Sequence, residues 1–429
     1  MILLLNTFVY VVVTYIIWRR TEKQISMPLV LWLTYSLFHV LACFLVQEAD
    51  VVYRLFSIVS VRLDTPLKVD GLIYMFLCLI VLSIPIFMFR DEKIKGIAPP
   101  SPNRWKLFLY GYLFLAFFSI IGTFSHLMNV LSTGLDFDEM KDAAFNAELV
   151  EMSTYQIYIF KIVDGLTSTA LIAMFYSLYD NKISRKIVVF LFCASFFPSF
   201  FMAIASASRA RLFFLFVNYI LGIILFRNLI TEKIKRRLYL VFSISFVVFV
   251  VFISAITTSR FGDNTEAYYS LLLYFGQPFL NFNQVIYGGI DANSFMNGEM
   301  TFEYFHYFVN GMDRTAVVDS VATWNNKLGF SSNLFYTAIG NLYMDFGDIV
   351  TILICCFLAF CGYRILKNAG NVVPFHILIF YFSYFHICFQ GIFDFIYGRY
   401  DGNITLIIVL VSYFFFRSGY TKQREKFLH

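Results

Sequence analysis

Eleven stretches of this chain are apolar for about 17 to 25 residues at a time, and that single property removes most folds from consideration. A helix of such length crosses a hydrocarbon core of roughly 30 Å with every backbone N–H and C=O paired inside the segment. The runs lie near 2–18, 28–47, 71–89, 107–125, 163–179, 187–205, 211–227, 238–256, 348–364, 375–397 and 402–417. The residue-by-residue alternation of a lipid-facing barrel strand is absent. The expected fold class is therefore an all-α polytopic membrane protein, one integral domain over 1–429 with eleven spans. Charged residues make up 14% of the chain, against about 25% in a soluble globular protein. All seven cysteines fall inside apolar runs, where a free thiol packs like a small hydrophobe and no disulfide is expected. No CxxC or HExxH spacing occurs and the histidines are scattered, so neither a metal nor a cofactor is expected.

Loop charge orients the spans, because lysine and arginine favour the cytoplasmic side. The first run is followed by Arg19, Arg20 and Lys23 and lacks a basic segment before it. It reads as an uncleaved anchor with the amino end outside. Alternation from there places 22 of the 33 basic residues inside, and 22 of the 28 acids outside. The net charge of +5 thus conceals a polarised molecule, and it gives no argument for nucleic-acid binding.

Three arginines depart from that bias. Arg209 and Arg211 sit between the sixth and seventh runs, and Arg260 ends the eighth, all at the expected outer face. Arginine at an apolar mouth can fork onto phosphate oxygens through several donors at once. The plain alternative is that each pairs with a carboxylate such as Asp263 or Asp164.

Two outer loops are long. Residues 126–160 are acidic, and FNAELVEM there reads as a short amphipathic cap. Residues 257–333 begin with an apolar aromatic run interrupted by Gly276, Gln277, Pro278, Asn281, Asn283 and Gln284. A full span there would invert everything downstream, so short interfacial or re-entrant helices are expected, with the break near Pro278. Further on, Asp291, Glu299, Glu303, His306, Asp313, Arg314 and Asp319 alternate with Phe302, Tyr304, Phe305, Tyr307, Phe308 and Trp324. Aromatic faces beside amides and carboxylates suit sugars, although tyrosine and tryptophan also gather at membrane interfaces.

Residues 332–367 are too long for one straight span, since 36 residues would reach about 54 Å. A break near Asp345 to Gly347 is expected, with Asp345 and Asp348 capping the span beyond it. In the penultimate run His386, Gln390 and Asp394 are spaced to share one helical face, with Arg399 just after.

The many spans, SRAR at 208–211, SRF at 259–261, YFGQPFLNFN at 274–283 and MDFG at 344–347 together resemble the Wzy-type O-antigen and oligosaccharide repeat-unit polymerases. That resemblance implies a glycosyltransferase at the outer face of the bacterial inner membrane. It would transfer a growing glycan from undecaprenyl diphosphate to the non-reducing end of a new lipid-linked repeat unit. Implied partners are that lipid-linked oligosaccharide, membrane lipids, a chain-length regulator and a flippase. On that basis Arg209, Arg211, Arg260 and Arg314 would hold the diphosphate. His306, Glu303 and Asp291 would supply the base, and Tyr274, Gln277, Asn281 and Asn283 would meet sugar. An O-antigen ligase shares the donor chemistry, and a transporter or flippase of lipid-linked sugar is the reading from another class.

Overall fold

The computed structural model describes residues 1–55, 65–137, 139–140, 152–180, 182–261, 264–310, 315–332 and 334–428, with main chain alone at 248, 258–261, 264–265, 267, 292, 310, 315–320 and 421–428. Helices dominate. In chain order they are α1 (Ile2–Arg20), α2 (Met27–Gln47), α3 (Ala49–Leu55), α4 (Val69–Phe89), α5 (Pro102–Ser132), α6 (Thr154–Gly165), α7 (Thr167–Tyr179) and α8 (Arg185–Ala205). Then follow α9 (Arg209–Phe226), α10 (Glu232–Phe261), α11 (Asn264–Asn281), α12 (Glu303–Asn310), α13 (Thr315–Leu328), α14 (Thr337–Leu366), α15 (Phe375–Phe389) and α16 (Arg399–Leu428). The described residues include one parallel strand pair, β1 (Gly96–Ala98) with β2 (Val372–Pro374), in register Ile97 to Val373.

Among the described residues ten helices are long and apolar enough to cross a membrane, and the α6–α7 pair, bent by 50°, is so only when its two helices are taken together, as a broken span or a re-entrant loop. Large apolar side chains such as Phe114, Phe117 and Ile121 on α5, or Leu353, Phe357 and Phe360 on α14, are exposed. On a soluble protein such stripes would drive aggregation; on spanning helices they meet lipid tails, so this is an all-α polytopic membrane protein.

The chain folds as two compact units. One comprises Met1–Arg90, Tyr268–Asn368 and Ser383–Ile404; the other comprises Asp91–Ala267, Ala369–Phe382 and Thr405–His429. In the first unit α1 packs on α2 and α4 packs on α14. Gly362 lets them close, since a Cβ there would meet Pro85 and Tyr384 at 2.9 Å. In the second unit α8 packs on α5 and α7, α5 packs on α6, and α9 lies against α7 and α8. There the ion pair of Arg227 with buried Asp91, at 3.0 Å, ties the end of α9 to the turn after α4.

Three expectations are corrected. The run 163–179, expected as one span, falls on two helices, α6 and α7, bent by 50° at Gly165–Leu166, where the Thr167 hydroxyl donates back to the Val163 carbonyl at 3.2 Å, a side-chain bond that competes with the helix ladder. Pro278 does not break α11. That helix runs through it to Asn281 and widens into a π turn, Phe282–Ile286, before the chain leaves. Finally, α15 stops at Phe389 and tightens into a 3-10 turn, Gln390–Ile392. A Cβ at Gly391 would press on Ala338 at 3.1 Å. His386, Gln390 and Asp394 consequently do not share one helical face. The break expected near Asp345 to Gly347 is present, with Gly347 at φ 72°, ψ −170° inside α14. FNAELVEM lies almost wholly outside the described residues.

Candidate functional site

In the second unit, the turn between α8 and α9 places the two arginines of SRAR. The Ser208 N–H donates to the Ala203 carbonyl at 2.8 Å, and the Ala207 N–H to that of Ile204 at 2.9 Å. That pattern closes α8 with a left-handed residue, here Ala207 at φ 43°. Glycine would adopt this conformation without strain. The alanine methyl is instead packed with Ala203, Ile204, Leu212 and Ile256, and Ala207 is 1% exposed. Ser208 then starts the next helix, its Oγ accepting the Arg211 N–H at 3.4 Å. Arg209 and Arg211 thereby occupy the first turn of an 18-residue helix, where orphan N–H groups and the helix dipole carry positive charge.

Their side chains have different neighbours. Arg209 Nη1 donates to Thr257 Oγ1 at 3.3 Å, and Thr257 donates to the Ile253 carbonyl at 2.6 Å. Arg209 is therefore tethered to α10. The Arg211 guanidinium stands over the Phe160 ring, 5.4 Å from its centroid. Among the described residues no carboxylate reaches ion-pair distance of it. Asp164, one turn beyond Phe160, accepts instead from Ser199 Oγ at 2.7 Å. Asp263 lies outside the described residues, and Arg260 is described by its main chain alone, in the last turn of α10.

In the first unit, the remaining sequence-derived candidates separate by environment. His306, on α12, and Asp291 are exposed. Glu303, at the start of α12, is 3% exposed and its Oε2 accepts the Tyr400 N–H at 2.9 Å. Arg314 lies outside the described residues. Tyr274 is half-buried, edge-on to Phe335 at 4.8 Å. Gln277 is buried. Asn281 donates to the Phe335 carbonyl at 3.0 Å, while its Oδ1 is buried with no hydrogen-bond partner among the described residues. Asn283 is consumed by backbone: its Oδ1 accepts the Lys68 N–H at 2.8 Å and its Nδ2 donates to the Lys68 carbonyl at 2.7 Å.

Several residues that sequence reasoning passed over or misjudged organise this region. Asp345 does not cap the span ahead of it. It is fully buried and accepts the N–H groups of Met300 at 3.2 Å and Thr301 at 2.5 Å. Asn403, 1% exposed, donates to the carbonyls of Thr301 and Tyr397, both at 2.7 Å, and accepts the Tyr304 N–H at 3.1 Å. Arg399, at φ 59°, donates to the Ser332 carbonyl at 2.6 Å and lies 5.9 Å from the Trp324 centroid. Asp345 and Asn403 thus fasten Met300–Tyr304 to α14 beside its kink and to the start of α16, while the Arg399 side chain holds Ser332. Asp345 was visible in MDFG, but its partners are distant in sequence; Asn403 carried no signal at all.

Among the described residues no group of three His, Cys, Asp or Glu side chains is placed to hold a metal ion. The chain matches no family model, no curated protein and no solved structure.

Proposed function

We propose that this chain is a glycosyltransferase of the bacterial inner membrane that polymerises lipid-linked oligosaccharide repeat units, gripping the donor's diphosphate at the Arg209–Arg211 turn. The observation that carries the proposal is Arg211. Its guanidinium is held by an aromatic face rather than a carboxylate, in the first turn of α9. A cation fixed there whose donors are unspent among the described residues suits a phosphate, because helix N–H groups and the dipole act in the same direction. Arg209, oriented by Thr257, adds a second cation, and Arg260 follows Thr257 by one helical turn in the sequence.

In the transfer, an acceptor hydroxyl oxygen bonds to the anomeric carbon of the growing glycan. The bond from that carbon to the diphosphate oxygen breaks, and undecaprenyl diphosphate leaves with the electron pair. Preorganised arginines lower the barrier by meeting the charge that grows on the leaving group. The hydroxyl proton passes to a base.

The test uses purified protein in lipid nanodiscs with radiolabelled lipid-linked repeat units. Wild type lengthens the glycan. Arg211→Ala and Arg209→Ala lower the rate on the order of 10²- to 10³-fold, and Arg211→Lys restores only part of it, since an ammonium cannot fork. Polymer of normal amount from the double alanine variant would overturn the assignment. Transfer onto a separate lipid acceptor without lengthening would make the chain a ligase.

A further inference from the structure

We propose that the first unit carries a saccharide subsite, floored by Tyr74, Tyr287 and Tyr343 and rimmed by the carboxylates of Asp70 and Asp348. It stands independently of the diphosphate assignment, because none of these residues belongs to the arginine turn.

Local backbone brings the three rings together. The π turn Phe282–Ile286 delivers Tyr287. Gly71 on α4 makes room for it, since a Cβ at that position would lie 2.8 Å from the Tyr287 ring. On α14 the left-handed kink at Gly347 presents Asp348 one residue later. The tyrosine ring centroids are separated by 5.4 Å (Tyr74 to Tyr287), 5.9 Å (Tyr74 to Tyr343) and 5.8 Å (Tyr287 to Tyr343). Tyr74 is anchored through its hydroxyl, which donates to the Asp348 carbonyl at 2.6 Å. Tyr343 accepts the Gly288 N–H at 3.4 Å. Lys68 reaches over and donates from Nζ to the Tyr287 carbonyl at 2.5 Å, while Asn283 holds the Lys68 main chain.

What remains unspent points to a ligand. Asp70 and Asp348 are both exposed, and among the described residues neither forms an ion pair; Asp348 spends Oδ1 on the Ile349 N–H at 2.8 Å, which leaves its Oδ2 and both Asp70 oxygens. The Tyr287 hydroxyl has no hydrogen-bond partner among the described residues, and its ring is partly exposed. Burial, and then Asp70, Tyr343 and Asp348 beside it, push the Tyr287 pKa up, so the hydroxyl stays an O–H donor. Carboxylate acceptors beside the Tyr287 phenolic donor, whose ring is backed by half-buried Tyr74 and buried Tyr343, match a pyranose, which offers hydroxyls at its rim and a C–H face to the ring. The charge balance refines the class. Two carboxylates face one ammonium already committed to a carbonyl, so neutral and amino sugars are favoured and uronic acids repelled.

The experiment is saturation-transfer-difference NMR on the full chain in nanodiscs, with D-glucose, N-acetyl-D-glucosamine and D-glucuronate as probes. The neutral sugars give ring-proton signals. Tyr287→Ala and the Asp70→Asn/Asp348→Asn pair each weaken them about five- to tenfold, the loss expected for one aromatic contact or its hydrogen bonds. Tyr287→Phe keeps the ring, preserves the packing and retains more binding than Tyr287→Ala. D-glucuronate binds more weakly than D-glucose in wild type, and the gap closes in the double asparagine variant. No signal from wild type, equal signals across the variants, or D-glucuronate binding as well as D-glucose would each overturn the subsite. Intact sugar binding with no transfer activity would sink the diphosphate assignment alone.

Discussion

Replacing Asp345 by alanine tests whether the segment Met300–Tyr304 is held by buried polar bonds or merely rests on its neighbours. The carboxylate is fully buried and takes two backbone N–H groups, from Met300 and Thr301. Alanine leaves both donors without an acceptor, and a buried donor that loses its partner costs about 1–3 kcal/mol. Two of them, partly offset by relaxation, put local opening about 2–4 kcal/mol closer to the folded state. At 25 °C that raises amide exchange through local opening on the order of 30- to 1,000-fold. The effect should stay local, because further ties, such as the Asn297 N–H to the Asp345 carbonyl at 2.8 Å, are main-chain bonds that survive the substitution. Hydrogen exchange by mass spectrometry in nanodiscs reads it on peptides covering 298–304. Asp345→Asn keeps one oxygen and should show about half the free-energy change. Exchange unchanged in Asp345→Ala, or identical in the two variants, would refute the assignment of those bonds to the carboxylate.

Two further substitutions probe the helix contacts. Gly347→Ala forces a side chain into φ 72°, ψ −170° and sets a Cβ 2.9 Å from the Phe295 ring. The backbone share alone is about 1–3 kcal/mol, so mild-detergent unfolding midpoints fall, and adding Phe295→Ala recovers only the steric part. Gly222→Ala puts a methyl against the Phe175 ring and 2.7 Å from Leu171 Cδ2 between α9 and α7. An overpacking cost of about 1–3 kcal/mol is expected in the same assay, with rescue by Phe175→Leu; no loss in Gly222→Ala would mean the helices can part without cost.

The spans were legible because lipid leaves a chain few choices: an apolar run of sufficient length must satisfy its own backbone, and the hydropathy of each run reports that directly. The glycine at 347 was legible for the same reason, since 332–367 could not cross as one straight rod. Pro278 misled because a proline in a helix only removes one N–H bond and crowds one carbonyl, which neighbouring helices can absorb. The widening came instead at Phe282–Ile286, where Asn283 and Gln284 bind the main chain of Lys68 and Thr65. Asn283, expected from the sequence to meet sugar, acts as a pin in the structure, and Gln284 beside it does the same. The same asymmetry governs the carboxylates. Glu303 and Asp345, conspicuous for sitting among apolar and aromatic residues, are buried and hold backbone N–H groups, whereas Asp70, which stands out in no motif, and Asp348, which spends one oxygen on the Ile349 N–H, remain exposed without an ion-pair partner among the described residues. A polar residue in an apolar neighbourhood must first satisfy the chain's own donors and acceptors, because leaving them unpaired costs more than any ligand bond returns. Binding chemistry is therefore better sought among side chains left over after that demand is met, which is why Arg211, held by an aromatic face with its guanidinium donors unspent among the described residues, says more about ligand chemistry than the more heavily bonded Asn283.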